Sequence, residues 1–151
     1  MNLAAKVTGI LSTALLLSAC QSGPPPAPKT EVATQQFTLT KWLQVSFCTD
    51  GSNTIGNRLV HGRLCSKTQK YDVFGGPVIE LAGAQGFVGS LSPQDATKGY
   101  SVVDGGITYT LKCEPLPKRE ANADGTIGDS YHCAFDANEL PLIRVDITYP
   151  S

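Results

Sequence analysis

Four cysteines in the body of this chain, Cys48, Cys65, Cys113 and Cys133, are the residues whose types and spacing point most directly to chemistry. Such thiols either bind a metal ion or pair as disulfides. Structural zinc sites use ligand pairs two to four residues apart, and the sequence has no Cys-x-x-Cys or His-x-x-x-His pair. The spacing therefore disfavours zinc, and no metal site is predicted from these cysteines.

The N-terminus indicates which compartment these thiols reach. Lys6 precedes an apolar run from Val7 to Leu17, which is too short to span a bilayer, because a spanning helix needs ~20 apolar residues. The run ends in Leu17-Ser18-Ala19-Cys20, which resembles the lipobox of bacterial lipoprotein precursors. The resemblance covers only the first 20 residues. An ordinary cleaved signal peptide with an incidental cysteine is the alternative.

The lipoprotein resemblance implies that residues 1–19 are removed and that Cys20 carries a diacylglycerol thioether and an acylated amine. Each buried CH₂ contributes ~0.8 kcal/mol, so two or more acyl chains attach a protein stably where one is marginal. Gln21 follows the cysteine, and in the enterobacterial lipoproteins that this terminus resembles, a residue other than Asp implies outer-membrane sorting. The expected location is the bacterial cell envelope, at the outer membrane facing the periplasm.

Residues 20–34 are expected to form a tether, and residues 35–151 a single domain. The stretch from Gly23 to Thr30 is rich in proline, which disfavours helix interiors and central strands. An extended tether of this length reaches ~40 Å at ~3.1 Å per residue. The chain has 12 Lys+Arg, 13 Asp+Glu and a net charge of −1. Without a basic cluster it is not expected to bind nucleic acid.

Export to an oxidising compartment makes two disulfides the expected state of the four remaining cysteines. Three pairings are possible. The pairing Cys48–Cys65 with Cys113–Cys133 is favoured, because each pair brackets a turn-rich segment between two strand-like runs. Each bridge, closing a loop of about 20 residues, is worth ~3 kcal/mol in the chain-entropy description.

Alternating apolar and polar residues predict β-strands in the domain. Apolar side chains recur at alternate positions from Phe37 to Phe47, from Ile107 to Leu111, and from Ile143 to Tyr149. Lys41 and Trp42 interrupt the first run, which indicates a bulge or an edge position. The prediction is an all-β domain, a small antiparallel β-sandwich or barrel of about seven or eight short strands with two disulfides.

Turn signals separate the expected strands. Asp104-Gly105-Gly106 predicts a tight hairpin, because glycine readily adopts positive φ. Leu81–Gly89 predicts two short strands around a turn, and Ser92-Pro93-Gln94-Asp95 predicts the start of one or two helical turns. Asp136–Glu139 predicts a brief turn that Pro141 ends.

Two segments between cysteines, residues 50–57 and 124–129, share the short sequences Asp-Gly and Thr-Ile-Gly. They indicate either a duplicated hairpin or a coincidence of ordinary turn residues. The second segment partly matches a calcium loop, with Asp124-Gly125 at its fifth and sixth positions. Tyr131 stands where the bidentate carboxylate belongs, so a hairpin tip is expected, and no metal or cofactor is predicted.

The sequence contains no nucleophile elbow, zinc-protease helix motif, P-loop or dinucleotide fingerprint. His61 and His132 lie in strand-like contexts without an adjacent acidic partner, and neither is predicted to be catalytic. Trp42, on the polar side of the first run, is singled out for partner binding because tryptophan is over-represented at interface hot spots. Packing beneath a loop or against the other sheet is its alternative role.

These features predict a non-enzymatic, lipid-anchored envelope protein whose β domain binds a protein partner. A small rigid scaffold with exposed loops suits an inhibitor or immunity factor, or an accessory part of a secretion or pilus apparatus. The alternative is an envelope enzyme, or a module that binds calcium or another small ligand through the Asp-Gly-rich loops.

Overall fold

Nine β-strands and one short helix make up the described part of the protein. The computed structural model describes residues 32–39, 46–68, 76–117 and 128–149. In chain order the elements are β1 (Thr34–Thr38), β2 (Ser46–Ile55), β3 (Arg58–Lys67), β4 (Val78–Gly83), β5 (Gly86–Leu91), α1 (Pro93–Thr97), β6 (Tyr100–Asp104), β7 (Ile107–Pro115), β8 (Ser130–Ala137) and β9 (Leu140–Thr148). The all-β prediction is confirmed, and the arrangement is sandwich-like.

The described strands form two sheets. Sheet I has the order β1-β9-β8-β7-β6, and sheet II has the order β2-β3-β4-β5. Consecutive strands within β2–β5 and within β6–β9 pair in antiparallel fashion, as predicted. The exception is β1, which pairs in parallel with β9, with Thr34 opposite Arg144 and Thr38 opposite Thr148. The first and last described strands therefore lie side by side.

The core lies between the two sheets, and period-two alternation determines which residues enter it. β7 buries Ile107, Tyr109 and Leu111, as its sequence pattern predicts. In β9 the alternation is broken once, because Leu142 and Ile143 are both buried. The β8–β9 register shifts at this point, which is the signature of a β-bulge.

The apolar run from Phe37 to Phe47 is not one strand. β1 ends at Thr38 and β2 begins at Ser46, and the two strands are edge strands of different sheets. Phe37 is buried, whereas Phe47 is 37% exposed and stacks on Phe37 with ring centroids 5.7 Å apart. Lys41 and Trp42 lie outside the described residues, so the bulge or edge position predicted there stays a prediction.

Three of the predicted turns are confirmed. Gly105 and Gly106 join β6 to β7 with φ of +56° and +77°, and residues 84–85 join β4 to β5. Ser92 caps α1, since its hydroxyl accepts a hydrogen bond from the Asp95 N–H at 3.0 Å. Glycine and a serine cap were therefore sufficient local signals for these three connections.

The prediction for Pro141 is wrong. Asn138 and Glu139 form a two-residue turn with φ of 46° and 67°, and β9 starts at Leu140 and continues through Pro141. Proline is tolerated there because the strand is irregular at the adjacent bulge. The segment is thus a β-hairpin, and the proline lies within its second strand.

Both predicted disulfides are present. Cys48–Cys65 joins β2 to β3, and Cys113–Cys133 joins β7 to β8. In each pair the cysteines are directly opposite in the ladder, with Cα atoms 4.0 and 4.1 Å apart. Such short separations are typical of non-hydrogen-bonded pairs in antiparallel sheets. Because all four thiols are consumed, the zinc alternative for these cysteines is excluded.

The predicted lipid attachment site lies outside the described residues, as do the whole signal segment and most of the tether. Cys20 and its acylation therefore remain predictions. Within the described ranges, no helix combines the length and the hydropathy needed to cross a membrane.

Candidate functional site

The four hairpin turns of the described chain lie at one end of the sandwich, which we name the turn end. These turns are residues 56–57, 84–85, 105–106 and 138–139. Contacts across the sheets bring the two sets of turns together. The Arg58 guanidinium donates to the Gly105 carbonyl at 3.4 Å, and the Gln85 N–H donates to Asp104 Oδ2 at 3.1 Å. Hairpins from both sheets therefore share one surface.

Each of these hairpins exposes one large hydrophobic side chain. Leu59, Phe87, Val103 and Leu140 are 56%, 70%, 67% and 38% exposed, and each lies within two residues of its turn. The neighbours Val60 and Val102 contact the core, so Leu59 and Val103 face outward on different sheets. Single exposed hydrophobic residues are ordinary. In the described chain, every hairpin at this end carries one such residue.

The core holds the turn end in place. Tyr109 is fully buried, and its hydroxyl accepts a hydrogen bond from the Ala84 N–H at 2.9 Å. The Asn138 N–H donates to the Thr108 carbonyl at 2.8 Å, and the Thr108 N–H donates back to Asn138 Oδ1 at 2.9 Å. A surface built on turns fixed in this way loses little conformational entropy when it binds.

The opposite end of the sandwich contains a pocket of about 250 Å³, which we name the base pocket. Its lining residues include Pro77, Pro93, Gln94, Asp129, Tyr131 and Tyr149. The hydroxyls of Tyr149 and Ser66 are 2.7 Å apart in the core. Burial raises the pKa of Tyr149 to about 12, against the lowering effect of the Ser66 hydrogen bond. Burial, followed by the nearby Asp129 carboxylate, also raises the pKa of Tyr131.

His132 has an acidic partner that its local sequence did not reveal. Its Nδ1 lies 2.6 Å from Asp146 Oδ1, because β8 and β9 place the two residues opposite each other. Gln36 donates to the other carboxylate oxygen of Asp146 at 2.7 Å, which ties β1 to this pair. Ser130 is two residues along β8, but its hydroxyl lies 3.0 Å from that of Thr148. The Asp146 carboxylate therefore orients the His132 imidazole.

The first Asp-Gly pair lies in a strand and not in a loop. Asp50 and Gly51 lie within β2, and Asp50 accepts two hydrogen bonds from Arg63 at 2.7 and 3.0 Å. The Arg63 guanidinium lowers the pKa of Asp50, chiefly through these hydrogen bonds. The second segment, at residues 124–125, lies outside the described residues. Within the part of the chain that is described, no three His, Cys, Asp or Glu side chains could hold a metal ion together.

The two disulfide-bracketed segments differ in how much of each is described. Cys48–Cys65 encloses the β2–β3 hairpin and its turn at the turn end. Cys113–Cys133 encloses the connection from β7 to β8, and β7 ends and β8 begins at the end of the sandwich opposite the turns. Residues 118–127 of this connection are outside the described ranges. The duplication therefore stays a prediction.

Sequence reasoning singled out the structural cysteines correctly but did not find the turn-end hydrophobic residues. Cys48, Cys65, Cys113 and Cys133 all lie in the two bridges. The available signal was a large apolar residue beside each turn, at a position where alternation points outward. Such apolar residues indicate a common surface only once the structure shows that the four turns lie at the same end of the sandwich.

Comparison with protein-family models, with curated proteins and with solved structures finds no match to this chain. The function is therefore argued from the geometry of the molecule itself.

Proposed function

We propose that this protein is a lipid-anchored cell-envelope protein that binds a protein partner non-catalytically through its turn end. The observation that supports this proposal best is the exposed hydrophobic side chain at each of the four described hairpins. The lipobox-like Leu17–Cys20 segment supports the anchor and the envelope location.

The turn end has the composition expected of a protein interface. Burying a Leu, Val or Phe side chain contributes ~1.5–3 kcal/mol, so a few such residues can carry most of a binding energy. Arg58 and Asp104 are charged residues at the same end, where they hydrogen bond to Gly105 and Gln85. Exposed apolar side chains together with charged groups would suit a folded protein surface as the partner.

An inhibitor or immunity factor, or an accessory part of a secretion or pilus apparatus, is the role proposed for such a surface. Both roles need a rigid recognition element held at the membrane, and neither needs catalytic groups.

Site-specific photo-crosslinking in the cells of origin tests the turn-end proposal. A photoreactive amino acid replaces Phe87 in the full-length protein, and in separate variants it replaces Val103 or the control residue Lys112, which is exposed on the outer face of β7. We expect one discrete protein adduct from positions 87 and 103, and none from position 112. Equal crosslinking at all three positions, or none at 87 and 103, would contradict the proposal.

Quantitative binding to the crosslinked protein gives a second test of the same surface. Phe87→Asp should weaken binding at least about tenfold, because a buried aromatic anchor contributes ~1.4 kcal/mol or more. Lys112→Asp is the control for introducing a carboxylate elsewhere, and its affinity should remain close to that of the unmodified protein. An unchanged affinity in the Phe87 variant would remove the turn end from the interface.

The anchor is tested separately by Cys20→Ser. Without the thioether the protein has no acyl chains, so it should move from the membrane fraction to the soluble fraction. Immunoblotting of the two fractions measures this shift, and mass spectrometry of the unmodified protein should show the acyl mass on Cys20. Retention of the variant in the membrane fraction would contradict the lipoprotein prediction while leaving the turn-end test unaffected.

A further inference from the structure

The base pocket combines aromatic walls with acceptor groups that have no partner in the described structure. Tyr131 and Tyr149 meet edge to face with ring centroids 6.1 Å apart, and both are more than nine-tenths buried. Pro77 and Pro93 add apolar surface, and Asp129 and Gln94 contribute polar groups. The pocket thus offers apolar walls together with one negative charge.

Two acceptor groups of the pocket, the Asp129 carboxylate and the Tyr131 hydroxyl, have no side-chain partner among the described residues. The six ion pairs among the described residues do not include Asp129. Tyr131 is 8% exposed, and its hydroxyl makes no hydrogen bond to any other described residue. No fully buried side-chain polar atom lacks a partner in these ranges, so the Tyr131 hydroxyl must still meet solvent. By contrast, the Tyr149 hydroxyl is already bonded to Ser66.

We propose that the base pocket binds a primary ammonium group carried on an alkyl stem, with the ammonium at Asp129 and the stem against the tyrosine rings. An ammonium has three donors, which match the Asp129 carboxylate, the Tyr131 hydroxyl and the Gln94 amide oxygen. The inference does not depend on the proposed function, because the pocket and the turn end are at opposite ends of the molecule.

The size of the pocket selects a small ligand. At about 250 Å³ it is smaller than the roughly 300–1,000 Å³ of pockets that enclose whole drug-sized molecules. A single unbranched stem with a charged head suits this space. Such a group occurs on a free alkylamine and on the lysine side chain of a protein, and the pocket recognises the chemistry that the two share.

Calorimetric titration of the purified full-length protein in detergent tests this inference. The probe is n-pentylammonium chloride, and n-pentanol is the matched ligand with the same stem and no charge. We expect a dissociation constant in the millimolar range for the amine. Binding of n-pentanol should be at least about tenfold weaker, because the alcohol cannot form the charge-assisted hydrogen bonds. Equal binding of amine and alcohol would overturn the proposal.

Two variants and one control locate the binding. Asp129→Asn should weaken amine binding about tenfold, and Tyr131→Phe should weaken it severalfold, since each removes one acceptor. Asp50→Asn removes an exposed carboxylate in β2 that does not line the base pocket, and it should leave the affinity within about twofold. Circular dichroism verifies the fold of each variant. Affinities unchanged in both folded pocket variants would overturn the proposal. If Asp129→Asn does not fold, an unchanged affinity in Tyr131→Phe alone would overturn it.

A capped pentapeptide with one central lysine distinguishes the two sources of the ammonium, and the same peptide with norleucine is its control. Binding of the lysine peptide would assign the pocket to a lysine of a protein partner, whether or not the free amine also binds in its own titration. Binding of the amine alone would assign it to a small alkylamine. If neither ligand binds at concentrations of tens of millimolar, the proposal is wrong.

Discussion

Tyr149 shows how one side chain joins the two sheets. It follows β9 directly, and its hydroxyl lies 2.7 Å from that of Ser66 on β3, with both residues buried. Burial raises the pKa of Tyr149 to about 12, so the tyrosine stays protonated well above neutral pH. The same ring forms part of the base pocket. A single residue therefore links sheet-to-sheet packing to the wall of a candidate binding site.

The raised pKa of Tyr149 predicts a loss of stability at alkaline pH. The folded pKa is about 12, above the usual 10.0, so the stabilising contribution is complete below pH 10 and is lost as the pH rises through 12. A difference of this size corresponds to about 2–3 kcal/mol. Urea unfolding of the unmodified protein and Tyr149→Phe across this range measures the effect. The variant should show the smaller alkaline loss, and equal losses would contradict the assignment.

At the scale of elements, β2 crosses closely over β9. A Cβ atom at Gly51 would lie 2.1 Å from the Leu142 carbonyl oxygen and 2.7 Å from Ile143 Cγ1. Beside this crossing, the Asn53 side-chain amide donates to the Pro141 carbonyl at 2.9 Å. The edge strand of sheet II therefore contacts the backbone of sheet I directly. Glycine is required at position 51 for this close approach, although its φ is ordinary.

We expect Gly51→Ala to destabilise the protein by about 1–3 kcal/mol, because the added methyl group must push β2 away from β9. Gly76→Ala is the matched control, since nothing lies within 4 Å of its Cβ position. Gly76 also has no positive φ. The free energy of unfolding in urea compares the two variants. Equal stability of both would show that the close crossing does not constrain the fold.

At the scale of the whole molecule, each sheet carries one disulfide between adjacent strands. Cys48–Cys65 bridges sheet II and Cys113–Cys133 bridges sheet I. Both bridges lie towards the end of the sandwich that contains the base pocket, away from the hairpin turns. The turn end is therefore held by hairpin geometry and by the buried Tyr109 contact, while covalent bonds hold the base end.

Removing either disulfide should lower the free energy of unfolding by about 3 kcal/mol, because the unfolded chain regains the entropy of a loop of about 20 residues. The variants are the two double substitutions to alanine, C48A/C65A and C113A/C133A. Urea unfolding of each, with a thiol titration of the unmodified protein, measures the effect. More than one free thiol per unmodified chain, or unchanged stability in both variants, would contradict the two bridges, because Cys20 adds at most one thiol.

The sequence by itself determined the local features of this protein. Alternation in β7, the Gly105-Gly106 turn and the Ser92 cap depend on neighbouring residues, and the disulfide pairing followed from cysteines that flank hairpin-like segments. The alternation, the turn and the cap are decided by interactions over a few residues, and each disulfide closes a single segment between two strands, so the pattern alone was sufficient. The prediction for Pro141 failed for the opposite reason, because a bulge depends on the partner strand.

Only the tertiary structure decided which distant residues meet. The parallel pairing of β1 with β9, the His132–Asp146 pair, the shared turn end and the base pocket all depend on strand register and sheet packing. These arrangements arise from burial of the two inward faces against each other, an energy summed over residues far apart in the chain. A pattern of period two specifies a face for each residue, but it contains no information about the strand that covers it.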